Sequence, residues 1–483
     1  PNIRKAVYTA AQYDSGNLQV LENLLDSRKK LAKRMGFESF ADFCISDKMA
    51  NSPDQVQKML GSLSKGLGAK ASKELGVLSS LKSQFEGGES GQAGPITAWD
   101  KVLYTSIARG RDPGALQSLG QYLPLGRVLK GVSGLLQRVF GVEMKPVPLA
   151  PGEGWSPDVM KMKVLYHPEA GQAGAEEAEE IGDLYLDLHP RPGKFEGAAH
   201  FTIQCGRRLL DGSYRSPRVA LVCNFHKPQG AQEAVLTHTD LETLLHECGH
   251  VLHSMLGRTT YQHLSGTRTA MDVVEVPSTL LEYFAWEPQF LKMFACHYQT
   301  GKSVPPEILE ALPSSKNLFS GLETLQQVGY AAVDLELHRD DLHPNLDPET
   351  SGWTQKVVSE VYRHHYPIEH QEGSKWYAQF SHLGSYGSNY YSYMWCRVLS
   401  ASIWRKHFQG DPLKEGAGRG LIRDFLAHGG AKDPQKMMAK LIQGSEGSNL
   451  QMDAQGEALV KELQGRVPVL GIQEEGATLQ QAA

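Results

Sequence analysis

Leu244-Leu245-His246-Glu247-Cys248-Gly249-His250 decides the reading of this 483-residue chain. Two histidines four residues apart fall on one face of a helix, one turn apart, where a single tetrahedral Zn²⁺ can take both imidazoles while Glu247 handles protons beside them. The flanking residues favour a helix. Thr239 and Glu242 have the Thr-x-x-Glu spacing of a capping box. Leu241, Leu244, Leu245, Cys248, Leu252 and Met255 recur at helical spacing, an apolar stripe that would anchor the helix in a core. His246, His250 and His253 lie on another face. The pattern predicts a zinc peptidase site with one metal ion.

A catalytic zinc usually takes three protein ligands and keeps one position for water or substrate. The pattern that uses a third histidine needs Gly and His three and six residues after the second His, and those positions here are His253 and Leu256. A carboxylate from a second helix remains, and Asp272-Val273-Val274-Glu275-Val276-Pro277-Ser278-Thr279-Leu280-Leu281-Glu282 offers it. Glu275 is the expected ligand, far enough beyond His250 for the first helix to end near Gly257 and a loop to turn back. Pro277 suits a first helical turn, where its missing N–H costs nothing. Glu282 shares a face with Glu275 and Ser278. Asp272 and Glu282 are expected to hold a ligand imidazole by its free N–H.

His-Glu-x-Gly-His-x-x-His followed by Asp-x-x-Glu-x-Pro-Ser-x-x-x-Glu resembles the thimet oligopeptidase (M3) family of zinc metallopeptidases. Ser254 to Thr259, Tyr261-Gln262-His263, Gly266-Thr267-Arg268 and Ala295 to Gly301 read most like the family's mitochondrial members. The resemblance runs from about Leu21 to about Gln443 and is diffuse before residue 160. It implies a mostly α fold with a small β-sheet, two helical lobes and a deep channel with the metal on its floor. Such a channel admits unfolded peptides and excludes folded proteins.

The resemblance also assigns the segment Phe380 to Tyr393. Its glycines permit close backbone approach, and its tyrosines supply O–H donors. A tetrahedral oxyanion needs such a donor, which is worth roughly 3–4 kcal/mol. By resemblance Tyr390 and Tyr393 face the substrate carbonyl, His382 helps bind it, and Tyr393 is the first choice for the oxyanion. Tyr386 and Tyr391 are left to binding or packing. The implied activity is a zinc metalloendopeptidase that removes an octapeptide from imported precursor proteins in the mitochondrial matrix. A general organellar or cytosolic oligopeptidase is the alternative, and a catalytically incomplete peptide-binding protein is the alternative of another class.

Beyond this the signals are weaker. Asp183 to Leu188, His200 to Ile203 and Val219 to Phe225 read as strands of one sheet. Val219 to Phe225 is the expected edge against which an extended substrate pairs its backbone, with a wholly buried structural strand as the alternative. His253, His263 and His297 read as hydrogen-bonded structural histidines, and Leu264 to Thr267 as a mobile loop over the cleft. No phosphate-cradling Gly-x-x-x-x-Gly-Lys pattern is present.

The formal charge of −5 argues against nucleic acid as a partner, and the Arg28-Lys29-Lys30-x-x-Lys33-Arg34 cluster reads as one solvated helix face. No apolar stretch approaches the roughly 18 residues of a membrane span, so no membrane insertion is expected. Six scattered cysteines suit free thiols in a reducing compartment, with Cys248 packed in the apolar stripe. Residues 17 to 83 and 97 to 145 read as helical, 84 to 96 as a connection, and 169 to 180 as a surface insertion. Helices dominate from 239 to about 465. The expected division is an N-terminal helical region at 1–160, truncated relative to the family, a catalytic region at 161–465 and a flexible tail at 466–483, in a monomer. The chain opens at Pro1 without Met, which reads as a fragment or a processed product.

Overall fold

The computed structural model describes residues 2–12, 16–87, 93–111, 118–169, 178–227, 233–339, 352–445 and 450–464. The expected tail at 466–483 and the middles of the two expected connections, 88–92 and 170–177, lie outside these residues.

Helices form where the apolar periodicity places them. In the long helix Pro53–Glu86, Ser52 caps the N-terminus by accepting the Gln55 N–H, and Pro53 fills the first turn. Its inner residues Val56, Leu60, Leu63, Leu67, Ala71 and Leu78 are buried, and the helix packs against Ser320–Leu337 and Met452–Leu463. One hydrophobic cluster therefore runs from Leu21 to Leu463 and joins early and late residues in a shared core. No helix among the described residues is long and apolar enough to cross a membrane.

A five-stranded mixed sheet, with a separate two-stranded pair beside it in the sequence, interrupts the helices. Its strands are β1 Val142–Val147, β2 Met160–Tyr166, β3 Glu179–Asp187, β4 Ala199–Gln204 and, after the two-residue pair β5 Arg207–Arg208 and β6 Tyr214–Arg215, β7 Arg218–Val222. The order is β1-β2-β3-β7-β4. All neighbours are antiparallel except β3 and β7, which run parallel with Asp183 opposite Arg218 and Asp187 opposite Val222. Residues 142–145, expected to be helical, belong to β1, and β1 and β2 pair across position 160.

The three predicted strands share this sheet, but the edge is not where the sequence put it. β7 is interior, with β3 on one side and β4 on the other. Its run Val219, Ala220, Leu221 and Val222 is buried on both faces, the mark of a central strand. The edge strands are β1 and, next to β7, β4, which leaves Phe201 45% and Ile203 53% exposed.

The helix His238–Leu256 lies on this sheet. Its predicted stripe is the buried face, with Leu241, Leu244, Leu245, Cys248, Leu252 and Met255 all at or below 2% exposure. Gly182 in β3 makes room for it, since a Cβ there would stand 2.4 Å from Met255 Sδ and 2.7 Å from the Pro217 carbonyl oxygen. The helix starts two residues before the expected cap. Thr237 and Asp240 form the capping box, each side chain taking the other's backbone N–H, while Glu242 accepts the Trp286 indole N–H instead.

Candidate metal centre

Two helices meet at Gly249. A Cβ at this position would lie 2.4 Å from Ser278 Cα and 2.5 Å from both the Pro277 oxygen and the Ser278 nitrogen. Only glycine allows the backbone of the second helix, Val276–Ala285, to lie against the first. Glu275 stands at the start of that second helix, directly after the short helix Met271–Val274, and Pro277 occupies its first turn as expected.

This contact brings the three expected ligands together. Nε2 of His250 is 3.0 Å and Nε2 of His246 3.3 Å from the same Glu275 oxygen, Oε2. One ligand atom from each of His246, His250 and Glu275 lies within 4.8 Å of the others. Ser278 donates its hydroxyl to Glu275 Oε2 at 2.6 Å, and His246 Nδ1 donates to Glu282 Oε1 at 2.6 Å, leaving Nε2 to face the group. Burial alone would lower the His246 pKa, but hydrogen bonds to Glu275 and Glu282 hold it up, at about 10. The same imidazoles outweigh burial at Glu275 and hold its carboxyl well below the usual range. Two imidazole nitrogens and one carboxylate oxygen facing a common point form the donor set of a tetrahedral Zn²⁺.

Glu247 is 6% exposed, and burial raises its pKa against the opposing charges of His246 and His250 and the backbone N–H of His200. Its Oε2 is buried and takes no hydrogen bond from the protein. That oxygen beside a two-histidine, one-carboxylate donor set fits a metal whose remaining position takes a water molecule.

The tyrosine segment lies within electrostatic reach of Glu275. Tyr393, 41% exposed on the helix Tyr391–His407, has its hydroxyl 3.2 Å from His382 Nε2, and burial followed by the charge of Glu275 raises its pKa. Tyr390 is nearly buried, and its hydroxyl donates to Gln327 Oε1 at 2.7 Å. Its ring packs against those of His382 and Tyr393, while its O–H is already engaged. Tyr391 packs inward, and Tyr386 is exposed.

Several expectations meet a different geometry. Asp272 holds no ligand imidazole. It is fully buried and accepts the Met49 and Ala50 N–H groups and the Tyr391 hydroxyl, tying three parts of the chain together below the site. Leu264 to Thr267 is bound down rather than free: Gly266 N–H donates to Gly257 O, Gly430 N–H donates to Leu264 O, and the Ser265 and Thr259 hydroxyls bond to each other. His253 is fully buried as a structural residue, yet neither ring nitrogen has a partner, and burial lowers its pKa to about 3. His297 is structural as expected, its Nδ1 accepting the Gln299 and Thr300 N–H groups. Arg28 is no solvated cation. It donates to the carbonyls of Leu383 and Gly384 and to His338 Nε2. All six cysteines are free.

His200, which sequence reading passed over, carries the edge strand into the site. Its Nε2 pairs with Ser254 Oγ at 2.9 Å, its ring lies 6.1 Å from that of His250, and burial lowers its pKa to about 3. The strand assignment held the only clue, because nothing local places His200 beside the motif.

The profile of peptidase family M3 matches residues 1–454. The chain belongs to this family. It is 38% identical over 444 residues to "Mitochondrial intermediate peptidase, mitochondrial" of Arabidopsis thaliana, covering 91% of this chain and 60% of that protein. It is 34% identical over 445 residues to the mitochondrial intermediate peptidase of Homo sapiens, covering 91% of this chain and 59% of that one. The chain thus spans about three fifths of the length of these curated relatives. Among solved structures, a PZ peptidase A with an inhibitor matches at a TM-score of 0.51 and 13% identity over 92% of this chain and 65% of that one. An M32 carboxypeptidase from Deinococcus radiodurans R1 matches at 0.52 and 15% identity over 96% of this chain and 78% of that one. Both share the mostly helical fold.

Proposed function

We propose that this chain is the catalytic part of a zinc-dependent metalloendopeptidase acting on unfolded peptides, and that its substrates are imported precursor proteins trimmed of an octapeptide in the mitochondrial matrix. The convergence of His246, His250 and Glu275 beside the unpartnered Glu247 oxygen carries the reading. Membership of family M3 and the names of the relatives support it. In this reading residues 1–160 are an N-terminal helical region and 161–465 carry the chemistry.

His246, His250 and Glu275 would hold the zinc, which when bound supplies a Lewis acid and lowers the pKa of water toward neutrality. Glu247 Oε2 takes the proton of the attacking water and returns it to the leaving amine. Tyr393 donates its O–H to the developing oxyanion, with His382 beside it on the substrate carbonyl, and Tyr390 supports both rings from beneath. β4, the exposed strand edge that carries His200 beside His250, pairs with the backbone of an extended peptide.

The test is cleavage of a quenched peptide library with and without chelator and zinc restoration, with cut positions read by mass spectrometry. Chelator-sensitive cutting eight residues into presequence-like peptides is expected; indiscriminate cutting of short peptides would favour a general oligopeptidase. Glu247→Gln should abolish turnover and leave zinc bound. Retained turnover in that variant refutes the assignment.

A further inference from the structure

The helix that carries Tyr393 begins without a cap of its own. Tyr390, at its N-cap, has no side-chain hydrogen bond to the first turn. The cap comes from elsewhere. Asp334, near the end of the helix Ser320–Leu337 and 1% exposed, accepts the Ser388 N–H on Oδ1 at 2.8 Å and the Tyr390 N–H on Oδ2 at 2.9 Å. A carboxylate at this point satisfies two backbone donors and opposes the positive end of the helix dipole. It also holds Ser388 at φ +61, a left-handed conformation that a serine rarely keeps unaided.

Asp334 is itself held. His338 Nδ1 lies 2.7 Å from the Asp334 carbonyl oxygen, and Arg28 Nη1 is 3.0 Å from His338 Nε2. A guanidinium only donates, so Nε2 accepts and the proton sits on Nδ1, which donates to the Asp334 main-chain carbonyl and stands 3.3 Å from the carboxylate Oδ1. The same guanidinium donates to the carbonyls of Leu383 and Gly384, in the short helix Ser381–Ser385 that carries His382. Gly387 threads between these groups, since a Cβ there would stand 2.4 Å from Arg28 Nη1 and 2.7 Å from His338 Nε2.

We propose that Asp334 is a positioning residue for the peptidase reaction: it caps the tyrosine helix from a neighbouring helix and, through His338 and Arg28, fixes where the Tyr393 hydroxyl and the His382 ring stand. The proposal rests on the reading of Tyr393 as the oxyanion donor. Asp334 touches no substrate and acts through the backbone of residues 388–390.

Asp334→Asn keeps the shape but turns one acceptor into an NH₂ group, so one of the two backbone bonds is lost. Its kcat on a quenched peptide cut by the full chain should fall about ten- to a hundredfold, the cost of a donor displaced by about 1 Å. KM and zinc stoichiometry should hold. Hydrogen exchange should speed up at the amides of Ser388 and Tyr390. Tyr393→Phe alone should lose about 100- to 1,000-fold, and adding Asp334→Asn to it should cost little more, because the displaced donor is already gone. A merely structural role would instead add its full loss in both backgrounds, and that additivity, or unchanged exchange at residues 388–390, overturns the proposal. If Asp334→Asn does not fold, Arg28→Met loosens the same clamp from its outer end and should show a smaller kcat loss that also vanishes beside Tyr393→Phe; wild-type kcat in Arg28→Met overturns it. Full activity of Tyr393→Phe would sink the oxyanion assignment separately, with exchange still deciding whether Asp334 holds the segment.

Discussion

Gly249→Ala tests the contact on which the metal centre depends. Carbon atoms pack at about 3.5–4.0 Å, whereas the new methyl would meet Ser278 Cα at 2.4 Å and the Pro277 oxygen and Ser278 nitrogen at 2.5 Å. These are backbone atoms of a helix start with no rotamer to turn aside, so the two helices must part by about 1 Å. Glu275 sits one turn before Ser278 and moves with it. Metal–ligand distances tolerate only about 0.2 Å, so the carboxylate leaves the point on which both imidazoles converge.

The expected result is a zinc affinity at least about tenfold weaker, or about 1.4 kcal/mol, together with an overpacking loss of about 1–3 kcal/mol in stability. The sign is diagnostic, because alanine is the better helix former by about 1 kcal/mol. Gly68→Ala, in the helix Pro53–Glu86 with nothing near its Cβ position, provides the control and should be neutral or stabilising. Zinc competition with a chromophoric chelator and thermal unfolding of the apo and zinc-loaded chains give both readouts. A Gly249→Ala chain that binds zinc like wild type and melts no lower refutes the account.

Two further outcomes follow from named contacts. Glu282→Ala removes the carboxylate that accepts His246 Nδ1–H, and since this side chain is 37% exposed the loss of zinc affinity should sit near the low end of the usual 10- to 100-fold, while Glu282→Gln, which can still accept, should lose less; equal affinities for wild type and Glu282→Ala would remove Glu282 from the site. At Asp100, burial works to raise the pKa, but Lys82, Arg4 and Thr97 donate to the carboxylate and hold it down, at about 2. Because the folded value lies below the unfolded one near 3.9, this group stabilises the fold above pH 4 and loses that contribution as pH falls toward 2. Urea midpoints should therefore drop less over that interval in Asp100→Asn than in wild type, and parallel pH profiles would show that the carboxylate contributes nothing.

The motif helix and its return were legible because their information is local. A repeat of apolar residues fixes which side of a helix is buried, and a four-residue spacing fixes which histidines share a face, whatever else the chain does. His246, His250 and Glu275 could be named as expected ligands from spacing and resemblance alone, and the strands at Asp183, His200 and Val219 from their flanking glycines and prolines. Where local signals competed, the sequence misled. Two Thr-x-x-acid patterns overlap at the helix start, and packing, including Trp286 drawing off Glu242, favoured Thr237 with Asp240. The apolar run at Val219 suited either an edge or a buried strand, because strand order is a non-local property, and only the sheet showed β7 inside and β4 at the edge.

What the sequence by itself determined is the chemistry on offer: two imidazoles and two carboxylates at spacings that helices convert into faces. Only the tertiary structure decided which polar groups serve that chemistry and which serve the fold. Asp272 and Glu282 looked alike as carboxylates flanking Glu275, yet Asp272 holds the Met49–Ala50 backbone and the Tyr391 hydroxyl in the core while Glu282 orients His246. Arg28 looked like one charge on a solvated face, and Asp334 carried no signal at all, yet together with His338 they fix the start of the tyrosine helix. The reason is physical. A side chain's type sets which bonds it can make, but most of the partners that make them lie tens to hundreds of residues away and arrive only when the chain has folded.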